Sequence, residues 1–514
     1  MLLLCVSIPS FMINLDANIV AVSLPMMSRS LHADFSAIEW IISSYTLPFA
    51  CLVLPAGALA DRYGRKRLLL LGLAIFTGAS FACGAAPSLL VLNIARALQG
   101  VGAAFQLSAA LAILSQAFTG TERARAFAFW GAVVGVAITL GPVAGGVITE
   151  ALGWEWAFYI NVPIGLVLIG MALYVVSESC DPNAGRVDLA GFLTFSASVF
   201  ALTLALISGN ARGWSSPPIL GALIAAAFLF AGFLLVEARH ARPMIDLRLF
   251  TRPTFLGANI AALAFAATLL TMLTYLPVYF QGGLGLGPRQ AGLLMLPLVI
   301  PLFIVPRLTA VHLAHRLSGR GLLTLGLALT SSGLFALAIA LPATAYWPLA
   351  GGLLLTGVGA GILNSEVVRV GMTVIPPERA GMASGVSGTV RFAGIVLGFA
   401  ALGAVMAGRL GVVFERSSLR LALQLQGLDP VSLAHRVAAG DLVGAVAGVP
   451  EPARSNLHIA LLWALGEGYR AILLTASGAA ALAALAAWLL VRPTDTAPTP
   501  HRPDALREDI VPIE

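Results

Sequence analysis

Asp16 and Arg96 are charged residues in segments that are otherwise apolar. More than ten mostly apolar residues flank Asp16 on either side, and Gln99 follows Arg96 by one helical turn. A charge at the centre of a membrane helix costs about 2.5–3.5 kcal/mol, so such residues are rare and mark ion or substrate pathways. A carboxyl there can exchange a proton or attract a cation, whereas arginine keeps its charge and orients the carboxyl. The pattern predicts a proton-coupling or substrate site at Asp16, Arg96 and Gln99. The alternatives are a structural carboxylate and an arginine that extends to the membrane surface.

A second charged group lies in a short loop between two apolar segments and consists of Gly57, Asp61, Arg62, Gly64 and Arg65. Glycine permits a tight turn, and a carboxylate near helix ends can cap a helix or pair with basic neighbours. These features predict a latch that is closed in one conformation and broken in another. The alternative is a basic loop that only anchors the chain on one side of a membrane.

A third pattern is a run of small residues that ends in Gly-Pro-x-x-Gly-Gly, formed by Gly131, Gly135, Gly141, Pro142, Gly145 and Gly146. Small residues spaced by four give a helix a flat face for close helix contact, and proline bends the helix. The pattern favours an interface between two halves that move against each other.

Glu366 and Arg369, spaced i and i+3, and Arg391 in the next apolar segment form a possible second polar site. A carboxylate beside one or two guanidiniums would be neutralised in place. Two readings stay open here: a structural ion pair, or a second protonatable or substrate-binding carboxyl.

The sequence contains no pattern that indicates a metal site, a disulfide framework or an enzyme active site. The four cysteines form no CxxC pair, and the seven histidines are scattered, so no metal site is predicted. No GxSxG, HExxH or phosphate-loop motif occurs. We expect no enzyme and no bound cofactor, with a proton gradient as the energy source.

The elements that must position these residues are membrane helices. Hydrophobic residues make up 59% of the 514 residues and charged residues only 11%, against about 25% charge in soluble domains. A helix crosses a bilayer with about 20 apolar residues, and fourteen such segments run from 3–27 to 469–491. Because lipid offers no partners to free backbone groups, all should be helices. The first span contains Asp16 and has no basic residue before it, which argues against a signal peptide.

Lysine and arginine predict the orientation, because cytoplasmic loops carry an excess of both. With the N-terminus in the cytoplasm, the inner loops hold Arg62, Arg65, Lys66, Arg67, Arg123, Arg125, Arg186, Arg239, Arg242, Arg248, Arg252, Arg316, Arg320 and Arg379, whereas the short outer loops hold Arg29, Arg212 and Arg289. The net charge of +6 is therefore assigned to topology and not to a nucleic-acid partner. We expect a multi-pass protein of the inner (plasma) membrane with both termini in the cytoplasm.

The spans group as six, two and six. We predict an N-terminal six-helix bundle at 1–176, inserted helices 7 and 8 with linkers at 177–253, and a C-terminal bundle at 254–491. The last contains a long outer loop, 409–468, in which Leu419 to Leu425 has the pattern of an amphipathic helix. The tail 492–514 has a disordered composition and should lie in the cytoplasm. Transporters built from two related halves place the substrate between them near the membrane midplane.

Taken together, the sequence resembles the fourteen-span drug–proton antiporters of the major facilitator superfamily. The resemblance rests on the loop from Gly57 to Arg67, the fourth-span segment from Leu92 to Ala104, the fifth-span run from Gly131 to Gly146, the first-span segment from Leu15 to Pro25, and the shorter matches Trp40…Tyr45, Asn161-Val-Pro163, Leu276-Pro277…Gln281 and Ala380-Gly381…Ser384-Gly385. It implies the major facilitator fold, proton coupling through the fourth-span arginine and export through the fifth-span motif. Asn18 and Ala21 stand where the family usually has threonine and asparagine, and Glu155 where it usually has a basic residue.

The resulting expectation is a proton-coupled antiporter that exports small lipophilic or cationic compounds, such as drugs and antibiotics, by alternating access. Its expected partners are the substrate, protons and the lipid bilayer, with no nucleic acid, and we expect a monomer. The alternatives are a transporter of one specific metabolite or natural product, a proton-coupled importer, a membrane-embedded enzyme, and a sensor without transport activity.

Overall fold

The computed structural model describes residues 1–31, 35–118, 120–180, 188–239, 247–341, 346–375, 380–415, 430–446, 449–450 and 453–496. Over these ranges the secondary structure is helical, with no strand. Thirteen of the described helices are long and apolar enough to cross a membrane, and one bent pair raises the number of spans to fourteen. The prediction of an all-α polytopic membrane protein with about fourteen spans is confirmed.

We name the spans α1 to α14. Their bounds are α1 Leu2–Ser30, α2 Phe35–Tyr63, α3 Arg65–Gly84, α4 Leu89–Ala117, α5 Gly120–Leu152, α6 Trp156–Val175, α7 Leu189–Arg212, α8 Pro217–Arg239, α9 Pro253–Gly282, α10 Pro288–Leu294 continued by Leu296–Leu313, α11 Gly319–Ala340, α12 Tyr346–Met372, α13 Ala380–Phe414 and α14 Ala453–Leu490.

Three spans depart from a regular α-helix. α2 bends by 52° between Val53 and Pro55, where proline removes a backbone donor. α9 contains the π-helical turn Ala266–Leu270, and α10 ends in another, Thr309–Leu313. Hydropathy predicts that these segments cross the membrane but contains no information about such local changes in helix geometry.

The helices pack as two groups with a pair between them. α1 to α6 contact one another, as do α9 to α14, and α7 packs on α8 while touching α2 and α13. Contacts between the two groups run through α1–α9, α2–α13 and α5–α10. Parts of the predicted linkers, 181–187 and 240–246, lie outside the described residues, as do Arg186 and Arg242, so the boundaries of the inserted pair stay predictions.

Helices extend into the predicted long outer loop 409–468 from both sides, while the boundaries of the loop at the membrane stay a prediction. Residues 409–414 belong to α13, and α14 begins at Ala453 instead of 469. The first turns of α14 bury Leu457, Leu461 and Leu465, which lie on one side of the helix. Hydropathy averaged along the sequence does not reveal this apolar face, because polar residues on the other side lower the average. Short helices Pro430–Ala438 and Leu442–Ala445 occupy part of the remaining loop. The predicted amphipathic segment Leu419 to Leu425 lies outside the described residues.

We call the end of the bundle that carries Met1 and the α2–α3 loop the basic end. The short turn Pro493–Thr496 also lies there, and Asp495 accepts a hydrogen bond of 2.6 Å from Thr254 Oγ1 at the start of α9. The first residues of the predicted disordered tail are therefore ordered, and 497–514 lie outside the described residues.

Candidate functional site

Asp16 is buried completely at the centre of a network that joins three helices. Its Oδ2 accepts a hydrogen bond of 2.8 Å from Arg96 Nη1. Its Oδ1 accepts from Gln99 Nε2 at 2.9 Å and from Asn161 Nδ2 at 2.8 Å. The structure thus brings together all three residues of the first predicted site, on α1 and α4, and adds Asn161 of α6.

Arg96 is held as firmly as its carboxylate partner. It is only 1% exposed, its Nε donates to the backbone carbonyl of Ile41 at 3.2 Å, and its guanidinium lies 4.1 Å from the ring centre of Tyr45. Gln99 binds Arg96 through its carbonyl oxygen at 2.7 Å and Ser80 through its amide nitrogen at 2.8 Å. An arginine held in this way does not extend to the membrane surface.

Two glycines allow α4 to approach its neighbours closely enough to build this network. A Cβ on Gly102 would lie 2.6 Å from the backbone nitrogen of Phe76 on α3, and a Cβ on Gly100 would meet the backbone of Tyr45 on α2. Real Cβ atoms do not approach backbone this closely, so these positions require glycine for the observed packing.

The network can hold a proton or release it. The ionised carboxylate is stabilised by hydrogen bonds from the guanidinium and from two amide donors. The protonated carboxyl, in contrast, leaves the buried charge of Arg96 without its counterion. Because arginine keeps its charge, protonation of Asp16 would leave a buried cation without its ion pair.

A cavity of about 390 Å³ lies beside this network, between the two groups of helices. Its wall includes Arg96 but not Asp16, which lies behind it. Other lining residues are mostly apolar or aromatic, among them Tyr45, Phe49, Trp130, Phe265, Phe392 and Phe399. Phe49 and Phe392, one from each group, have ring centres 4.0 Å apart. The size and lining are typical of a small-molecule site.

The end opposite the basic end is closed by contact between α5 and α10. A Cβ on Gly146 would lie 2.9 Å from the Cα of Arg289, and Gly292 packs against the backbone of Pro142. Glu150 Oε2 accepts a hydrogen bond of 3.1 Å from the backbone of Arg289. The closure therefore depends on the Gly-Pro-x-x-Gly-Gly end of α5.

The other glycines of this run have different surroundings. Gly141 and Gly145 pack against Asn18 and Ile19 of α1, Gly135 lies near Phe303 of α10, and a Cβ on Gly131 would find nothing within 4 Å. The contacts with the other group of helices are therefore made by Gly135, Pro142 and Gly146, whereas Gly141 and Gly145 pack within the first group and Gly131 borders the cavity. A role of this run in movement between the halves stays a prediction.

The α2–α3 loop forms a compact polar cluster at the basic end. Arg65 Nη2 and Asp61 Oδ1 form an ion pair of 2.7 Å, and Arg65 also binds Gln116 of α4. Gly64 has a φ of 113°, which favours glycine, while Gly57 has open space around it. Arg62 is exposed and lies over the ring of its neighbour Tyr63.

Glu178 completes this cluster from the linker that follows α6. Its carboxylate accepts hydrogen bonds from the backbone nitrogens of Lys66 at 3.1 Å and Arg67 at 3.2 Å. It therefore caps the N-terminus of α3, where a negative charge is favourable. Nothing in the sequence pattern predicted this cap. The side chains of Arg123 and Arg125 and the residue Arg379, assigned to neighbouring basic loops, lie outside what the structure describes.

The second predicted site is divided in the structure. Glu366 is 2% exposed and pairs with Arg369 on the same helix. Arg391 instead faces the cavity, with its Nη2 3.5 Å from Asn364 Oδ1 and its guanidinium 5.4 Å from the ring centre of Phe265. The two interpretations of Glu366, a structural ion pair or a second protonatable or substrate-binding carboxyl, stay predictions.

Sequence reasoning missed two residues of the first site as contributors. Asn161 lies in the Asn161-Val-Pro163 motif and Ser80 is a hydroxyl within α3, and both complete the environment of Asp16 and Gln99. The available signal was weak: each is a polar residue within or beside an apolar segment.

Comparison with known proteins assigns this arrangement to a family. The sequence model of the Major Facilitator Superfamily matches residues 6–399. The Multidrug resistance protein Stp of Mycobacterium tuberculosis is 38% identical over 79% of this chain and 75% of its own length. The Tetracenomycin C resistance and export protein of Streptomyces glaucescens is 30% identical over 96% of this chain and 93% of its own. The Methylenomycin A resistance protein of Streptomyces coelicolor is 34% identical over 77% and 83%.

Solved structures agree on the fold. A bacterial homolog of the human lysosomal transporter Spinster, in an inward-facing and occupied conformation, matches with a TM-score of 0.62 at 17% identity, over 96% of this chain and 97% of that one. A D-xylose-proton symporter matches with a TM-score of 0.61 at 14% identity, over 96% and 98%. The chain therefore belongs to the major facilitator superfamily and is a multi-pass membrane transporter, not an enzyme.

Proposed function

We propose that this protein is a proton-coupled antiporter that exports small lipophilic compounds by alternating access. The observation that carries the proposal is the buried network of Asp16 with Arg96, Gln99 and Asn161. Arg96, the partner of this protonatable carboxyl, lines a cavity whose other walls are mostly apolar and include six aromatic side chains. Binding of a proton and binding of a substrate can then act on the same helices.

In the proposed cycle, the substrate enters the cavity from the cytoplasm or the inner leaflet while Asp16 is ionised. The halves rock, the α5–α10 contact opens, and a proton from outside reaches Asp16. Protonation removes the counterion of Arg96, so the helices that hold the network rearrange and the substrate leaves outward. The protein returns with the proton and releases it into the cytoplasm.

The basic end is assigned to the cytoplasm. This follows from the excess of lysine and arginine in the loops of that end, and it places both chain termini inside the cell. The closed α5–α10 contact would then face outward, and the conformation described here would be one in which the cavity is shut toward the outside.

The proposed exporter could act on many compounds, as a multidrug transporter, or on one specific compound. One relative bears the name of a multidrug resistance protein, and two others bear the names of resistance proteins for a single antibiotic, methylenomycin A or tetracenomycin C. The aromatic lining supports either form. The cationic preference expected from Asp16 has less support, because that carboxylate is engaged by three donors and does not line the cavity.

The test begins with a panel of lipophilic antibiotics and dyes of positive, zero and negative charge, applied to cells with and without the protein. The proposal expects reduced susceptibility that a protonophore abolishes. The best compound is then used with proteoliposomes under an imposed proton gradient. Wild-type protein should move it against its concentration gradient, and Asp16→Asn should fold and insert but lose gradient-driven movement.

Glu415→Gln is a suitable control, because it removes an exposed carboxylate at the end of α13. It should transport like the wild type. Gradient-driven transport at the wild-type rate by Asp16→Asn would reject the role given to Asp16.

A further inference from the structure

Arg391 is a cation in the cavity wall that has no carboxylate partner in the described part of the chain. It lies eleven residues into α13, about 16 Å along the helix at 1.5 Å per residue, which places it well inside the membrane. Its polar contact is the amide oxygen of Asn364 at 3.5 Å, and its guanidinium faces the ring of Phe265. Arginine keeps its proton, so the cavity wall carries a permanent positive charge at this point.

The buried acids near the cavity are already engaged, and Glu39 of α2 accepts a hydrogen bond of 3.2 Å from Tyr275. Asp16 pairs with Arg96, and Glu366 pairs with Arg369. No aspartate or glutamate is among the described residues that line the cavity. Since Arg96 is balanced by Asp16, the lining has an excess of one positive charge, contributed by Arg391.

We propose that Arg391 binds the oxyanion of the transported compound, and that the substrates are aromatic compounds with a carboxylate or phenolate group. This proposal rests on the proposed export function and specifies its substrate class. A guanidinium without a counterion in the wall of a mostly apolar cavity is stabilised by an anion that accepts its hydrogen bonds. The forked donor geometry of arginine matches a carboxylate better than lysine would.

The surroundings of Arg391 favour an aromatic compound over a small inorganic anion. Phe392 follows it in the chain, its ring lies 4.0 Å from that of Phe49, and both rings line the cavity. Phe265 and Trp130 add further aromatic surface. A volume of about 390 Å³ also accommodates a ring system of several fused rings and not only a single ion.

The experiment measures binding to purified protein in detergent with two dyes of one scaffold, fluorescein as the anion and rhodamine 123 as the cation. Fluorescence anisotropy gives both dissociation constants. Wild-type protein should bind fluorescein more tightly. Arg391→Gln should weaken fluorescein binding about tenfold or more, as expected for loss of a hydrogen bond to a charged group, and should leave rhodamine 123 unaffected or bound more tightly. Arg391→Lys should give an intermediate result.

Arg316→Gln is the matched control. It removes the same charge from an exposed position at the basic end, so both dyes should bind as they do to the wild type. A general structural role of Arg391 would change the binding of both dyes alike, whereas the proposed role changes the ratio.

Preference of the wild-type protein for rhodamine 123, or an unchanged ratio in a folded Arg391→Gln, would overturn the proposal. The wild-type comparison remains decisive even if the variant does not fold. No proton gradient is present in this assay, so its failure would leave the export function standing. Conversely, failure of the Asp16→Asn test would leave anion binding at Arg391 intact.

Discussion

Gly146→Ala should shift the protein away from the conformation described here. The Cβ of alanine at this position would lie 2.9 Å from both the Cα of Arg289 and the carbonyl carbon of Pro288 on α10. Both are backbone atoms and cannot move aside by a change of side-chain rotamer. The substitution therefore acts on the distance between α5 and α10 where the two halves close.

The size of the effect follows from the cost of overpacking. An added methyl group in a well-packed contact costs about 1–3 kcal/mol. The cost applies only while α5 and α10 are in contact at this end, so it changes the ratio of closed to open protein. A difference of that size corresponds to a factor of about 5 to 150 in the ratio of closed to open protein.

The shift can be measured by double electron–electron resonance between two spin labels. The labels are attached to cysteines substituted for Leu152 and Leu284, which are exposed beyond the α5–α10 contact. The exposed Cys180 is replaced by serine in this background. Gly146→Ala should increase the population of long distances and slow transport.

Gly131→Ala is the control on the same helix, because a Cβ there meets no atom within 4 Å. It should leave the distance distribution unchanged. A folded Gly146→Ala with the wild-type distribution would refute the reasoning that this contact limits opening.

Three further predictions follow from other parts of the molecule. Cys180 is the exposed cysteine and lies next to the basic end, while the other three cysteines are buried. A membrane-impermeant maleimide should label Cys180 in inverted vesicles and not in intact cells. Labelling in intact cells and not in inverted vesicles would show that the proposed topology is inverted. Asp16→Asn and Arg96→Gln should each lower the free energy of unfolding by about 3–5 kcal/mol, since each leaves a buried group without its partner. In the double variant the free energy of unfolding should fall by less than the sum of the two single effects. Strictly additive effects in denaturant melts would count against coupling between the two residues. Glu178→Ala removes the cap of α3 and should cost about 1 kcal/mol, seen as faster hydrogen exchange in the first turn of α3, with Glu122→Gln, an exposed acid at the start of α5, as a neutral control.

Several errors of sequence reasoning have a common cause. Hydropathy predicts a last span at 469–491, whereas the helix α14 begins at Ala453, because its first turns are apolar on only one side and an average over a window cancels such a stripe. The bend at Pro55 and the π-turns of α9 and α10 change the direction of a helix without changing its hydropathy. The sequence predicts that Arg391 lies near Glu366 because the two residues belong to consecutive spans, but in the structure Arg391 faces the cavity and Glu366 pairs with Arg369.

The sequence alone determined that this chain crosses the membrane about fourteen times, and it predicted functional roles for Asp16, Arg96 and the glycines of α5. This information is local: hydropathy adds up along one helix, and a charge in an apolar segment is visible without knowing its neighbours. Only the tertiary structure decided that Asn161, far along the chain, donates to Asp16, and that Glu178 caps α3. It also decided which glycine meets backbone and which meets open space. These facts depend on how helices rotate and approach one another, which results from packing across the whole bundle and leaves no pattern in any single segment.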